Sequence, residues 1–257
     1  MDAAIFSVTA GVAFISSVLF GLATVRSSRR TPGKWRTLPT SLTIGSGLCV
    51  ISSLCAVPAV SDAIEQASHV ENTARLGAHL CGIGLCAGLR AAMTEWTHEV
   101  DSRRGAVLIR LSKAAVVGMT ALGIFLAANR SGLDFTSSFA KDRGVAAYLL
   151  VVYAYGLWVG GATAVTAGSL ALENARSAGH RALAAGQALL AVGGIAGVVY
   201  TGAEAAFLIC HQVFGRAWRL GIEQGLSTVT AGLFMSCTFL GLAVCSLARP
   251  LLAALKR

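Results

Sequence analysis

Residues 188–210 read ALLAVGGIAGVVYTGAEAAFLIC, and Glu204 is the only charged side chain in this stretch. A helix needs about 20 predominantly apolar residues to cross the hydrocarbon core of a bilayer. The whole chain of 257 residues is 55% hydrophobic and 13% charged, with a mean hydropathy of +0.68. Soluble domains carry about 25% charged residues. The stretch therefore predicts a membrane-spanning helix within a membrane protein.

Six further apolar blocks share these properties. Their runs are long and show no sustained alternation of apolar and polar residues, which favours helices over barrel strands. We therefore predict an all-α integral membrane protein, a single domain over residues 1–257 with seven transmembrane helices. The predicted spans are about 4–25, 39–60, 73–94, 106–128, 145–170, 183–210 and 225–247.

The basic residues predict an N-terminus outside and a C-terminus in the cytoplasm. No basic residue precedes the first block, and the block is longer than the apolar core of a signal peptide, so we interpret it as a span. In this orientation 15 of the 21 Lys and Arg residues fall on the inner side, as the positive-inside rule requires. Topology and anionic lipid then explain the net charge of +9 without a nucleic-acid partner. The expected location is the plasma membrane, the inner membrane of a bacterium.

Glu204 is the only acidic residue well inside a predicted span. A charge there costs roughly 2.5–3.5 kcal/mol on insertion scales and often marks a functional site. Helical spacing places Tyr200, Glu204, Phe207 and His211 on one face, and Glu204 lies about six residues, roughly 9 Å, before the outer end of its predicted span. We predict an outward-facing pocket in which Glu204 contacts a ligand or exchanges a proton. The alternative is that Glu204 only forms a hydrogen bond between helices.

A second polar group precedes and begins the third predicted span. It includes Asp62 in the outer turn, Asn72 as the N-cap of the helix, and Arg75 and His79 one turn apart on one face. Both polar groups lie toward the same side of the membrane. If the third and sixth spans are neighbours, these residues are predicted to line the same ligand pocket.

Other residue types give little support for metal or thiol chemistry. The seven cysteines fall in or near the spans without a Cys-x-x-Cys pair, and we interpret them as packing residues. The histidines and acids lack the His-Glu-x-x-His spacing of zinc enzymes, so no metal and no cofactor is expected. Tyr155 and Trp158 of the fifth span either belong to an interfacial aromatic belt or form a wall of the pocket.

Three Gly-x-x-x-Gly pairs predict close contact between helices. They are Gly84 with Gly88, Gly156 with Gly160, and Gly193 with Gly197. Such pairs serve either packing within one chain or the interface of a homodimer.

Several segments together resemble one family. They are an apolar span ending in a short acidic turn, the run Val-Glu-Asn72-Thr-Ala-Arg75-Leu-Gly-Ala-His79-Leu, Tyr200, and Leu226-Ser-Thr-Val229. They look like the membrane half of an actinobacterial family of seven-span proteins, labelled transporters or proteins of unknown function. The resemblance covers about residues 1–250 and implies seven spans in an actinobacterial plasma membrane. Such proteins commonly continue into a soluble cytoplasmic domain, whereas this chain stops at Arg257, either as a short member or as the membrane part of a longer protein.

Two functions fit these features best, and a third interpretation is a structural subunit or an immunity-type partner. The first is a sensor-like or transporter-like protein that binds or moves a small apolar or amphipathic molecule through the outward-facing pocket, with that molecule and the lipid bilayer as its partners. The second is an intramembrane enzyme acting on isoprenoid or other lipid substrates, such as a terpene-cyclase-like protein with Glu204 as the proton donor. Aromatic side chains would stabilise the cation formed in that reaction.

Overall fold

A computed structural model describes residues 37–129, 133, 135–136 and 140–255. In this part of the chain the protein consists of seven α-helices and one 3-10 turn, without a strand, so the prediction of a helical protein is confirmed. The first predicted span, 4–25, lies outside the described residues. The helices are α1 Thr37–Cys55, α2 Pro58–Ser68, α3 Thr73–Thr97, α4 Val100–Ala128, α5 Arg143–Ala175, α6 Arg181–Phe214 and α7 Leu220–Leu255, with the 3-10 turn at Ala178–His180.

Five of these helices are long and apolar enough to cross a membrane: α3, α4, α5, α6 and the part Leu220–Ser246 of α7. The segment Thr43–Cys55 and the helix Pro58–Ser68 together form a sixth candidate, which is bent by 88°. The described chain thus has the architecture of a multi-pass membrane protein with five to six candidate spans.

The bend between α1 and α2 divides the second predicted span, 39–60. Pro58 has no backbone N–H and its ring disfavours helical backbone at the residue before it. Val57 accordingly adopts extended angles, φ −80° and ψ 123°. α1 therefore ends at Cys55, and the acidic outer turn of the sequence prediction is largely the short helix α2, which has no buried residue.

Glycines allow the backbones of neighbouring helices to come close together. A methyl group on Gly160 of α5 would lie 3.0 Å from the carbonyl oxygen of Gly194 on α6. On α6, a methyl group on Gly193 would lie 2.8 Å from Oγ1 of Thr238 on α7. Gly84 and Gly88 face α1 in the same way. All three Gly-x-x-x-Gly pairs therefore pack within this chain.

Hydrogen bonds show which helix ends lie together. Asn72, just before α3, bonds Asn129, just after α4, and Gln212 near the end of α6 donates to the carbonyl of Ala140 before α5. The side chain of Ser52 near the end of α1 donates to the carbonyl of Ala78 on α3. The ends of α1, α4 and α6 and the beginnings of α3, α5 and α7 thus form one end of the bundle, where both predicted polar groups lie.

Candidate functional site

The structure places a second carboxyl group beside Glu204. Its partner is Glu223 of α7, and the side chains of Ser227 and Tyr153 adjoin the same carboxyl group within hydrogen-bonding range. Glu204 is 5% exposed and Glu223 1% exposed. Oε2 of Glu204 is buried and makes no hydrogen bond to any residue that the structure describes. We call Glu204 and Glu223 the acid pair.

Two carboxyl groups in contact and out of water cannot both carry an uncompensated negative charge, because repulsion and lost hydration both oppose it. The pair is stable when it holds a proton or when a cation lies beside it. It can therefore act as an exchange site for a proton or for the positive group of a ligand.

The sequence of α7 explains how Glu223 reaches this position. Glu223, Ser227 and Thr230 recur at helical spacing and are all buried. The hydroxyls of Ser227 and Thr230 bond carbonyls of their own helix, at Gln224 and Leu226. The same face continues to Phe234 and Thr238, which contact the glycines of α6. α7 therefore presents one continuous buried face to α6, with its acid at the beginning.

Glu223 is the functional candidate that the sequence analysis missed. The seventh span was predicted to begin near residue 225, which left Glu223 in an outer loop, but α7 begins at Leu220. Glu204 is thus not the only acid within the spans. The available signal was the spacing of Glu223, Ser227 and Thr230, which places three polar side chains on one helical face.

Two tyrosines form the aromatic surroundings of the acid pair. The rings of Tyr153 on α5 and Tyr200 on α6 meet edge to face, with centroids 6.3 Å apart. Tyr153 is 7% exposed. Tyr200, a predicted pocket residue, therefore lies next to the acid pair, where its ring contacts Tyr153 of α5.

The other two residues of the predicted α6 face lie farther along the helix, where α6 continues to Phe214 rather than ending near 210. The longer helix places Glu204 ten residues before its end, about 15 Å along the axis. Phe207 is buried and its ring meets those of His211 and Trp218 edge to face, at 4.9 and 5.5 Å between centroids. Phe207, His211 and Trp218 line a small pocket of about 210 Å³.

Two residues of the second predicted group, Asn72 and His79, form hydrogen bonds with other parts of the described chain. Asn72 is the residue before α3, as predicted, but its side chain does not cap the helix. Its amide donates instead to Oδ1 of Asn129 at 3.0 Å and to the carbonyl of Leu133 at 2.7 Å. These hydrogen bonds of Asn72 connect the segment between α4 and α5 to the start of α3.

His79 forms the other link from α3 to α5. Its Nδ1 lies 2.8 Å from the hydroxyl of the buried Tyr148. Arg75 is half-buried one turn earlier on α3, and Asp62 is exposed on α2. His79 therefore contacts α5 through Tyr148, whereas Glu204 contacts α5 through Tyr153.

Tyr155 and Trp158 lie apart from the acid pair. They line an apolar groove of about 760 Å³ between α4 and α5. The Nζ atom of Lys113 lies 5.2 Å from the centre of the Trp158 ring. Trp158 is 43% exposed, in keeping with a surface that meets lipid.

The described residues contain no group of three or more His, Cys, Asp or Glu side chains placed to hold a metal ion. The seven cysteines are free thiols. Comparison of the chain with protein-family models, with curated proteins and with solved structures found no match.

Proposed function

We propose that this protein binds or moves a small apolar or amphipathic molecule in a membrane, and that the acid pair is the polar contact of its site. The observation that supports the proposal is the burial of Glu204 against Glu223 at the contact of α6 and α7. A pair of buried acids is a costly arrangement to keep for packing alone. The exchange of a proton or the binding of a positively charged ligand group would explain why the acid pair is present.

The topology, family and location of the protein are part of the same proposal. We propose that residues 4–25 are a seventh span and that the N-terminus lies outside. We also propose that the protein is a multi-pass member of the actinobacterial family that it resembles and lies in a bacterial inner membrane. The bias of 15 basic residues to 6 between the two sides supports this orientation. It places the acid pair toward the outer face of the membrane.

The test measures binding of the lipophilic cation tetraphenylphosphonium to the purified protein by isothermal titration calorimetry. We expect Glu204→Gln and Glu223→Gln to abolish binding and its accompanying proton release, while each variant keeps the thermal unfolding midpoint of a folded protein. Glu173→Gln is the matched control, since Glu173 is an exposed acid near the opposite end of α5. Unchanged binding of the cation by both acid-pair variants would refute the role of the pair.

A neutral ligand is tested in parallel. Molecules that co-purify with the protein are extracted and identified by mass spectrometry, and their amounts are compared between the wild type and the two acid-pair variants. A lipid or other amphiphile that disappears only from Glu204→Gln and Glu223→Gln identifies the ligand class.

The two tyrosines favour a second candidate, the acid-catalysed cyclisation of an isoprenoid. In this reaction Glu204 would donate the proton, and the rings of Tyr153 and Tyr200, which meet edge to face near it, would stabilise the cation. Incubation with polyprenyl substrates, followed by mass spectrometry of the products, tests it. Substrate recovered unchanged from the folded wild type refutes the enzyme and leaves the binding function.

A further inference from the structure

The small pocket beyond the acid pair has a different chemistry from the acid pair itself. Its lining includes Lys141, His211 and Arg216, together with the rings of Phe207 and Trp218. No carboxylate of the described residues lines it. We call it the basic pocket.

The backbone around the end of α6 builds this pocket. Gly215 adopts a left-handed conformation with φ 68°, and its N–H bonds the carbonyl of His211 at 3.1 Å. A residue with a side chain adopts this conformation at a cost, so glycine suits the position. The turn folds Arg216 and Trp218 back toward the end of α6, where the Trp218 ring packs against Phe207.

The third basic residue comes from the segment before α5. Gln212 on α6 donates a hydrogen bond to the carbonyl of Ala140, which is buried. This bond holds Lys141 beside the end of α6. The neighbouring Asp142 uses its carboxylate as the cap of α5, accepting from the N–H of Val145 at 2.9 Å.

His211 supplies a donor or acceptor whose partner is absent from the described residues. Its Nδ1 is buried and makes no hydrogen bond to any of them. A buried polar atom of this kind destabilises the fold unless a partner reaches it. An anion held by Lys141 and Arg216 can accept a hydrogen bond from Nδ1 when this atom carries the proton.

We propose that the basic pocket binds a compact oxyanion, the phosphate group either of a lipid headgroup or of a free anion. Arginine and lysine together provide the forked and the point-like donors that phosphate oxygens accept. The volume of about 210 Å³ is below the range of about 300–1,000 Å³ for sites that enclose a drug-sized ligand. The site thus recognises a headgroup or a small ion, not a whole amphiphile.

This inference extends the proposed function, because Phe207 and His211 belong to the predicted ligand pocket, but its experiment uses other residues. Inorganic phosphate is titrated into the detergent-purified protein by calorimetry. In parallel, protein in nanodiscs of phosphatidylcholine with or without phosphatidylglycerol is examined by native mass spectrometry for retained lipid.

We expect Arg216→Gln and Lys141→Gln each to weaken the observed binding about tenfold, the effect of losing one charge-assisted hydrogen bond. Arg219→Gln, an exposed neighbour that does not line the pocket, leaves it unchanged. Phosphate binding that depends on Arg216 identifies a free anion, and retention of phosphatidylglycerol alone identifies a lipid headgroup.

The proposal is overturned if the wild type binds neither probe, or if Arg219→Gln reduces binding as much as Arg216→Gln. Glu204→Gln separates the two proposals, since it removes the cation site and leaves phosphate binding intact. Arg216 and Lys141 are exposed, so their variants are expected to fold.

Discussion

Replacing Gly194 by alanine tests whether α5 and α6 are in backbone contact. The added methyl group would lie 2.6 Å from the backbone N of Ala164 and 2.8 Å from the carbonyl oxygen of Gly160. Both atoms belong to the backbone of α5, so no side-chain rotation relieves the overlap and the helices must separate. Overpacking of this kind costs about 1–3 kcal/mol, and the rigid neighbours favour the upper end.

The helix itself gains from the same substitution. Alanine is better than glycine in a helix interior by roughly 0.5–1 kcal/mol. The net loss of stability for Gly194→Ala is therefore about 2 kcal/mol, or roughly a thirtyfold change in the equilibrium constant. Gly232→Ala on α7 is the matched control, because nothing lies within 4 Å of its added methyl group. It should gain roughly 0.5–1 kcal/mol.

The assay is reversible unfolding of the purified protein in mixed micelles, with increasing sodium dodecyl sulfate, followed by circular dichroism. The two alanine variants should move the midpoint in opposite directions. If Gly194→Ala is as stable as Gly232→Ala, the close approach of α5 and α6 does not exist. The position of Tyr153 beside Glu204 would then be wrong as well, because the same contact holds it.

Two polar residues at helix ends offer tests of local structure. Asn72→Ala should lose about 2–4 kcal/mol, because three side-chain hydrogen bonds disappear and alanine at φ 62° adds roughly 1–2 kcal/mol of strain. Asn72→Gly should recover the strain alone, measured by the same unfolding assay. Burial, followed by the charges of Arg110 and Arg90, lowers the pKa of His98 below its usual 6.5. As the pH falls, His98 therefore binds a proton in the unfolded chain before it does so in the folded protein. The free energy of unfolding consequently decreases as the pH drops below 6.5. Unfolding midpoints between pH 5 and 8 should show this slope flattened in His98→Gln, and an equal slope in both proteins would contradict it.

The lengths of the apolar blocks predicted the central helices well, because each helix must by itself be long and apolar enough to cross the hydrocarbon core. The block 73–94 corresponds to Thr73–Thr97, and the block 145–170 to Arg143–Ala175. The ends differ because helices continue into interfacial residues that hydropathy excludes. The break before Pro58 follows from a local steric rule and was open to prediction from the sequence.

The candidate site could be predicted from the sequence only in part. The apolar residues on both sides of Glu204 in the sequence show that a charge at this position is energetically costly. Its partner Glu223 follows only from the register of α6 against α7, which glycine contacts such as that of Gly193 with Thr238 determine. The spacing of Glu223, Ser227 and Thr230 indicates a polar face of α7, but only the register shows that this face meets Glu204. The predicted grouping of His79 with Glu204 depends on helix packing in the same way, and the two residues contact different parts of α5, through Tyr148 and Tyr153.

The acid pair and the basic pocket lie about two turns apart on α6, and their spacing has an energetic consequence. Glu204 and His211 are seven residues apart, about 10 Å along the helix. Opposite unit charges at this distance attract by about 1.7 kcal/mol at an effective dielectric constant of 20. A cation that binds the acid pair without displacing its proton would therefore strengthen the binding of an anion in the basic pocket by roughly fifteenfold, and the effect must be the same whichever binds first. A cation that replaces the proton one for one leaves the charge of the site unchanged and produces no such coupling. Phe207 lies between them and is buried, so the two charges stay separate while this attraction remains. Such an arrangement favours a ligand, or a ligand and a lipid headgroup, that presents both signs of charge along the helix.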